Sequence, residues 1–369
     1  MKKTLSVLLL LSVLLSVCSC GKKYKPVKST DEESRVVMTF TAGGEEYEIK
    51  YELYRALFLA NKATVDGGDG SVWQGESAGE YIAAINAIII EKASYIYSVL
   101  HLADSLDIDV NSSDADDFVE ECIRIGVEGD GNTIVGAGSY DSYLASLKTA
   151  GMNYAVSELM LRYSYALSKI NEYYIGEAND ALGNLGGALD TEEDKLRAFY
   201  NSEDCVRVLR AYVPKAVKSK EWVEDFRDDI EALSSDEDRA LFIINKTAAA
   251  YSELLLDGEL TGIVIGRYSL DKTYYADYSE GAFSLEAGEV SQVITVDGTG
   301  DTGTDGYYVL VALEKSSNHF ESNLNAVKEA YISNEIGKTL DGIARSLIDS
   351  TVYESAYTNI VHKDISMDP

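Results

Sequence analysis

The chain has 369 residues, of which 46% are hydrophobic and 25% are charged, a composition ordinary for a folded protein of two or three domains. Its charge is strongly acidic, because 62 Asp and Glu residues against 32 Lys and Arg residues give a formal net charge of −30. A nucleic-acid binder needs clustered cations to neutralise phosphates, so this balance argues against that class of partner. The three histidines lie far apart in the sequence, and we expect neither a metal site nor a cofactor.

The N-terminus has the pattern of an export signal. Two lysines precede an apolar run over 5–17, which is shorter than the roughly 20 apolar residues of a membrane-spanning helix. We therefore predict a signal peptide over 1–19.

The end of this signal, Val17-Cys18-Ser19-Cys20, resembles the lipobox of bacterial lipoproteins. The resemblance implies that Cys20, which follows a small residue, carries diacylglycerol and begins the mature chain. Simple secretion with an incidental cysteine is the alternative. Residues 20–35 have no apolar periodicity and are predicted to form a flexible tether.

The region after the tether is predicted to be helical, apart from a hairpin at its start. Two short strands flank a Gly-Gly turn, and a helix and a polar Gly/Asp loop follow. Apolar residues then recur at helical spacing for about seven turns in EYIAAINAIIIEKASYIYSVLHLADSL. Further helices are predicted in DVNSSDADDFVEECIRIG, SYDSYLASLKTAG and NYAVSELMLRYSYALSKINEYYIG, the first of them with Ser and Asp at its start.

The pattern changes after a short helix that begins at Thr191. Alternation predicts a strand in CVRVLRAYVP, helices follow in EWVEDFRDDIEAL and DEDRALFIINKTAAAYSELL, and strands are predicted in GIVIGRYSL, SQVITVDG and GYYVLVALEK. One long amphipathic helix then runs through FESNLNAVKEAYISNEIGKTLDGIARSLIDS. The sequence therefore predicts a helical module with an α+β insert.

Several segments together resemble the PrsA/SurA group of extracytoplasmic foldases and their parvulin-type (PpiC) peptidyl-prolyl isomerase domain. They are the hairpin followed by a helix, TEEDKLRAFYNSEDCVRVLRAYV, GAFSLEAGEVSQVI and GYYVLVALEK, and AFSLEAGEVS is the most specific. The resemblance implies an α+β, mostly helical fold. N-terminal helices (36–203) and a long C-terminal helix (318–365) that packs on them form a SurA/PrsA-like chaperone module, and a parvulin-like antiparallel sheet and helix domain is inserted over 204–317.

The same resemblance implies a function. A protein of this group is a membrane-anchored extracytoplasmic chaperone, or foldase, that binds unfolded or newly exported polypeptides. Its partners would be these polypeptide clients and, through the lipid anchor, the bacterial cell membrane.

The isomerase pocket is where the sequence departs from the family. Arg210 stands where parvulin domains carry a histidine on the first strand, and Tyr308 stands where they carry another on the last strand. Val264 occupies a position that is usually Asp or Cys. The apolar positions that would contact a bound peptide are kept: Tyr274, Tyr278 and Phe283.

These replacements bear on catalysis because rotation about a prolyl bond must pass a barrier of about 20 kcal/mol. An enzyme lowers that barrier with polar groups that favour the twisted amide over the planar one. The guanidinium of Arg210 cannot act as a neutral imidazole does, and the side chain of Val264 can form no hydrogen bond. We therefore expect a pocket that binds peptides but isomerises them poorly, so that enzymatic activity stays an open question.

Two other functions stay as alternatives. One is an active isomerase with an altered pocket. The other is a solute-binding lipoprotein, which requires parallel sheets in two lobes.

Other motifs have ordinary structural interpretations. Ser77 lies in a G-x-S-x-G sequence, but a polar loop rather than a strand precedes it, which argues against a catalytic elbow. The G-x-G-x-x-G sequence of 298–303 precedes a strand and is interpreted as a hairpin loop. Cys122 and Cys205 are interpreted as two buried thiols, with a disulfide as the alternative.

Overall fold

The computed structural model describes residues 24–177, 185–189, 191–250, 262–269, 278–297 and 305–365. They belong to two compact units, each with its own hydrophobic core. The helical unit contains the described residues of Val17–Tyr173 and Thr339–Pro369, and the sheet unit contains those of Tyr174–Lys338.

The helical unit begins with a hairpin and continues as a series of helices. They are β1 (Val36–Ala42), β2 (Glu45–Lys50), α1 (Tyr51–Asp66), α2 (Ala78–Ser105), α3 (Ser113–Glu128), α4 (Tyr140–Thr149) and α5 (Tyr154–Ile175). Gly43 and Gly44 both have positive φ, which a two-residue hairpin turn requires and which glycine adopts without steric cost. By length and composition α2 is apolar enough to cross a membrane, but its Ile85 and Ile89 are fully buried in the core of this unit.

The sheet unit alternates short helices with strands. Its elements are β3 (Gly176–Glu177), β4 (Leu185–Gly186), α6 (Glu193–Asn201), β5 (Cys205–Pro214), α7 (Lys220–Glu231), α8 (Asp236–Ala250), β6 (Ile263–Gly266), α9 (Ser279–Phe283), β7 (Ile294–Asp297), β8 (Asp305–Ala312), α10 (Ser317–Ser322) and the first part of α11 (Leu324–Asp349). Four strands form one sheet in the order β6-β5-β8-β7, with every pair antiparallel.

This topology decides one alternative. A solute-binding protein of two lobes needs parallel sheets, whereas every strand pair in the described part of the chain is antiparallel. The described topology therefore argues against the alternative of a solute-binding lipoprotein. The α+β, mostly helical fold class is confirmed.

The two faces of the four-stranded sheet bury different partners, because successive side chains of a strand point to opposite sides. Leu209, Ala211 and Val213 of β5 face α7 and α8, where Val223 and Phe226 pack against them. The opposite face is formed by the alternate residues of β5 and β8 and is covered by α9: Val208, Tyr212, Tyr308, Leu310 and Ala282. Each fully buried large apolar side chain contributes about 1.5–3 kcal/mol, so both layers stabilise the sheet.

Two helices differ from the sequence-based prediction in the unit to which they belong. Helix α6 was predicted within the helical module, but its Leu196 and Phe199 pack in the sheet unit against Cys205 and Val327. The long helix α11 belongs to the sheet unit up to Lys338 and to the helical unit beyond it.

The C-terminal residues complete the core of the helical unit. The short strand β9 (Val352–Tyr353) pairs antiparallel with β1 and extends the hairpin to the order β2-β1-β9. The backbone N–H of Thr41 donates to Ser350 Oγ at 2.7 Å, and Leu347 is fully buried with the hairpin residues. The N-terminal hairpin and the C-terminus therefore share one core.

The predicted flexible tether is, over 24–35, part of the folded helical unit. Tyr24 packs in an apolar cluster with Tyr140, and its hydroxyl donates to Glu128 Oε1 at 2.9 Å. The amide of Asn153 donates to Glu33 Oε1 at 3.3 Å. Isolated tyrosines and polar groups make these contacts. The sequence of the segment therefore lacks the apolar periodicity that would have predicted an ordered element.

Candidate functional site

Three of the predicted pocket positions lie on the α9 side of the sheet together with Tyr212, in a group that we call the arginine–tyrosine cluster (Arg210, Tyr212, Tyr278 and Tyr308). The guanidinium of Arg210 donates from Nη1 to Tyr278 Oη at 3.1 Å. The Tyr278 and Tyr308 rings lie 4.7 Å apart between centroids, and Tyr308 lies 5.0 Å from Tyr212. Tyr308 is fully buried and Tyr278 is 1% exposed, so these rings fill the position where an open pocket was expected.

Strand pairing brings these residues together. Arg210 of β5 lies opposite Leu310 of β8, and Tyr212 lies opposite Tyr308. Directly opposed residues of an antiparallel pair share a face, so all four side chains point to the same side. Tyr278 immediately precedes α9 and is placed over the sheet as that helix begins.

Val264 lies on the other face. It pairs with Arg207, which lies three residues from Arg210 and therefore on the opposite face of β5. Its side chain packs against Phe199 and Tyr200 of α6. Its neighbours Ile263 and Ile265 are the residues of β6 that join the apolar core on the cluster side. Val264 is thus not brought together with Arg210 and Tyr308, because a shift of one residue along a strand reverses the face.

The remaining predicted site residues have different settings. Phe283 is half-buried at the end of α9, where the guanidinium of Arg267 lies 4.5 Å from its ring centroid. Tyr274 and the lipidation candidate Cys20 lie outside the described residues.

None of the three histidines is a member of the arginine–tyrosine cluster. His101 and His362 belong to the helical unit, and His319 of α10 bonds through Nδ1 with the hydroxyl of Tyr200 at 2.9 Å. The cluster therefore supplies a guanidinium and phenol hydroxyls, which are donors at neutral pH, and no group that exchanges a proton near pH 7.

A second feature of the sheet unit is a cleft of about 570 Å³ beside the edge strand β7. Its lining comes from the end of α7, from α9 and the turn after it, and from the start of β7: Arg227, Glu231, Gly281, Ser284, Leu285, Gly288, Glu289, Val290, Ser291, Gln292 and Ile294. We call it the edge cleft.

Hydrogen bonds hold the backbone wall of the edge cleft in place. Ser291 donates its N–H to the Leu310 carbonyl at 2.9 Å, and its Oγ accepts the Leu310 N–H at 2.9 Å. Gly288 donates its N–H to the Ala312 carbonyl at 2.8 Å. The wall is therefore an extension of the sheet edge, preformed before any ligand binds.

Charge in the edge cleft is arranged with acids at the rim. The guanidinium of Arg227 donates to the Ser291 carbonyl at 3.3 Å and pairs with Glu231 at 3.0 Å. The Glu231 side chain is 55% exposed, and Glu289 is exposed on the opposite wall. The carboxylates of Glu231 and Glu289 are therefore exposed at the rim, while Arg227 and Arg239 are held by backbone carbonyls of the wall, Arg239 donating to that of Gly288 at 2.8 Å.

Sequence reasoning did not predict the edge cleft, although it singled out AFSLEAGEVS as the most specific motif. Most of the lining residues belong to that motif or border it. The signal was Gly288, whose φ of 89° marks the turn that directs the chain back to the sheet edge.

Ser77 and the two cysteines have structural rather than catalytic settings. Ser77 lies at the start of α2, with a short 3-10 helix rather than a strand before it. Cys122 and Cys205 are free, and burial raises the pKa of each thiol to about 12, so both are protonated at neutral pH. The glycine-rich motif of 298–303 lies outside the described residues. Within the described part of the chain, no group of His, Cys, Asp and Glu side chains is arranged to hold a metal ion.

Comparison with known proteins gives similarities among solved structures alone. No family model and no curated protein matches the chain. Among solved structures, the chain is similar to the PrsA foldase of Lactococcus lactis, with 12% identity, a TM-score of 0.26, and coverage of 90% of this chain and 100% of that one. It is also similar to the PrsA foldase of Streptococcus pneumoniae (15% identity, TM-score 0.28, 76% and 90% coverage) and to PrsA of Bacillus subtilis (14%, 0.23, 86% and 93%). Identities and TM-scores this low do not define a function, so the proposal below is drawn from the contacts of the chain itself.

Proposed function

We propose that the protein is an extracytoplasmic foldase, anchored to the bacterial cell membrane by lipid on Cys20, that binds segments of unfolded or newly exported polypeptides. The observation that carries this proposal is the edge cleft, which places a preformed backbone wall beside the last strand of a sheet. A sheet edge binds an extended peptide through main-chain hydrogen bonds, which every sequence offers. Such a site suits clients of varied sequence.

The side chains of the edge cleft add a preference. Leu285 and Ile294 offer apolar contacts, while Glu231 and Glu289 favour a client segment that carries Lys or Arg. Because the rim is exposed, added salt weakens this attraction. The preferred client segment is therefore extended, partly apolar and basic.

We further propose that the isomerase site of this foldase is degenerate. Arg210 and Tyr308 replace the two histidines of the resembled family, and the buried Tyr278 and Tyr308 rings occupy the site. A substrate proline ring would have to displace them, and no proton-exchanging group would assist the twisted amide.

The client-binding proposal is tested with the mature soluble chain, residues 21–369, by its suppression of the aggregation of an unfolded basic test protein. Ser284→Trp fills the edge cleft and is expected to weaken client binding about ten-fold, which corresponds to about 1.4 kcal/mol. Val217→Trp, at a 45% exposed position of the same unit outside the cleft, is the matched control. Equal client binding by wild type and both variants would contradict the proposal.

The degenerate site is tested by a protease-coupled assay with a proline-containing peptide. We expect acceleration far below that of ordinary parvulins. Acceleration near theirs, lost on substitution of Phe283, would instead establish the alternative of an active isomerase with an altered pocket.

The anchor is tested by mass spectrometry of the protein from bacterial membranes and by fractionation. Cys20→Ser is expected to release the chain from the membrane fraction, whereas Cys18→Ser leaves it there. Membrane retention of the Cys20→Ser chain would refute lipidation at this position.

A further inference from the structure

The chain enters the helical unit between the two ends of a single loop. This loop, residues 129–139, joins α3 to α4, and we call it the entry loop. At one end, Glu128 Oε1 accepts the hydroxyl of Tyr24 at 2.9 Å. At the other end, the hydroxyl of Tyr140 donates to the Lys25 carbonyl at 2.8 Å, and the Tyr24 and Tyr140 rings lie 5.1 Å apart. The entry loop therefore lies beside the point where the N-terminal chain joins the fold.

The entry loop has a fixed shape. Asp130 Oδ1 accepts the backbone N–H groups of Asn132, Thr133 and Ile134 at 2.7–2.8 Å, and these bonds hold the pKa of its carboxyl below the usual range. The loop also closes on the end of α3, since Gly138 donates its N–H to the Val127 carbonyl at 2.8 Å.

Two glycines make this closure possible. A Cβ on Gly129 would lie 2.5 Å from the Ile134 carbonyl oxygen, and one on Gly136 would lie 2.3 Å from the Gly129 nitrogen. No other residue type fits these positions without a shift of the backbone. The conformation of the loop is therefore set before it meets any partner.

This rigid loop presents an apolar side chain to solvent. Val135 is 97% exposed, the highest value among the exposed large hydrophobic residues of the described chain. Val27, close to the entry point in sequence, is 47% exposed. Neither side chain belongs to a hydrophobic core, so both are available to a partner outside the fold.

The geometry points to a lipid bilayer as the partner of the entry loop: we propose that Val135 inserts among the lipid headgroups at the membrane surface. This inference depends on the proposed lipidation of Cys20. Only four residue steps separate Cys20 from Tyr24, a span of at most about 14 Å. A lipid at Cys20 therefore holds the entry point, and the loop beside it, within reach of the headgroups.

The charge of the entry segment agrees with this partner. Lys22, Lys23, Lys25 and Lys28 lie within seven residues of a chain whose net charge is −30. Basic residues close to a bilayer are attracted to anionic headgroups.

The test uses the lipidated full chain with Val135→Trp, reconstituted into vesicles of phosphatidylcholine and brominated phosphatidylglycerol. Bromine quenches tryptophan only at contact distance, so we expect emission from position 135 to fall at least two-fold relative to vesicles without bromine. Val361→Trp is the control, because it is 51% exposed in the same unit but adjoins His362, which packs against Phe58 in a different apolar cluster from that of Tyr24 and Tyr140. Emission from the native Trp73 and Trp222, recorded on the wild-type chain, is subtracted. Unquenched emission at 135, or equal quenching at 135 and 361, would overturn the proposal.

A second arm separates this inference from lipidation itself. A hexahistidine replaces residues 1–20 and holds the chain on the same vesicles through a nickel-chelating lipid. Quenching at position 135 supports the loop contact even if mass spectrometry finds no lipid on Cys20, whereas its absence in this arm overturns the contact. If Val135→Asp lowers aggregation suppression and no quenching occurs, the loop binds client chains and the membrane assignment is wrong.

Discussion

Each unit places a buried tyrosine beside a basic side chain, and the two basic side chains differ in kind. In the helical unit, the hydroxyl of Tyr54 donates to Asn86 Oδ1 at 2.7 Å and lies 2.9 Å from His362 Nε2. In the sheet unit, the guanidinium of Arg210 donates to the hydroxyl of Tyr278, whose ring packs against Tyr308.

Hydrogen-bond balance places a proton on one nitrogen of the imidazole. The single proton of the Tyr54 hydroxyl goes to the amide oxygen of Asn86, so Nε2 of His362 carries a proton and donates it to Tyr54. Burial lowers the pKa of His362, which favours the neutral ring over the imidazolium.

The two basic side chains, His362 and Arg210, respond differently to pH. A neutral imidazole can be buried and still take up a proton as the pH falls, whereas a guanidinium stays charged throughout. The titratable ring therefore serves the stability of the helical unit. The position where the resembled family carries a histidine holds a permanent charge.

The largest expected effect comes from emptying the centre of the sheet unit. Tyr308→Ala leaves a cavity at a fully buried position and should lower the free energy of unfolding of this unit by about 3–5 kcal/mol. Chemical denaturation measures the loss. Tyr308→Phe, which keeps the ring, is the matched control and should lose much less. Similar losses in both variants would mean that the hydroxyl, and not ring packing, supports the cluster.

In the helical unit, Tyr54→Phe removes one hydroxyl and leaves Asn86 Oδ1 and His362 Nε2 without that partner in the core. The expected loss is about 1–3 kcal/mol, because buried polar groups lose solvation without compensation. Tyr24→Phe deletes a hydroxyl whose bond is exposed and should cost less than about 1 kcal/mol. Equal losses from the two variants would contradict a special role for the buried network.

The pH dependence of the helical unit should follow His362. Its folded-state pKa lies below the unfolded value of 6.5, so the unfolded chain binds more protons as the pH falls. Stability is therefore fully present above about pH 6.5 and declines below it, by at most about 1.4 kcal/mol per pH unit.

Denaturation followed by the emission of Trp73, in a Trp222→Phe background, reports on the helical unit. His362→Gln should remove the decline between pH 6.5 and 5.5, since carboxyl groups titrate at lower pH. An unchanged decline in the glutamine variant would assign it to another group.

The smallest effect is expected at Arg210. Arg210→Met removes the hydrogen bond to Tyr278 but keeps an apolar stem, and should cost about 1 kcal/mol. Its stability profile between pH 5 and 7 should run parallel to that of the wild type, because the lost charge does not titrate there. A change of slope would show that Arg210 controls a titrating neighbour.

Much of the fold followed from periodicity in the sequence. The hairpin, the helices up to α5, the strand β5 and the long helix α11 were predicted from apolar spacing, and their bounds agree with the structure to within a few residues. The pocket positions Arg210 of β5 and Tyr308 of β8 lie on the same face of the sheet, because the alternation of side chains along a strand is local and regular.

The failures share one cause. Val264 was assigned to the pocket, but pairing with Arg207 places it on the opposite face. The edge cleft and the docking of Tyr24 against α3 and α4 were missed. Each of these three features depends on which residues of distant segments come into contact. Periodicity within one segment does not predict such pairings.

The sequence by itself determined the kinds of elements and the residue types at the resembled pocket, since residue type and spacing are local properties. For example, it already shows that no histidine lies on a predicted strand of the insert. Only the tertiary structure decided the partners. It brought His362 to Tyr54 across 308 residues, turned Val264 away from Arg210, and set the rigid loop of Val135 beside the start of the folded chain. Such contacts are chosen by the packing of whole faces, whose free energy is shared among many residues.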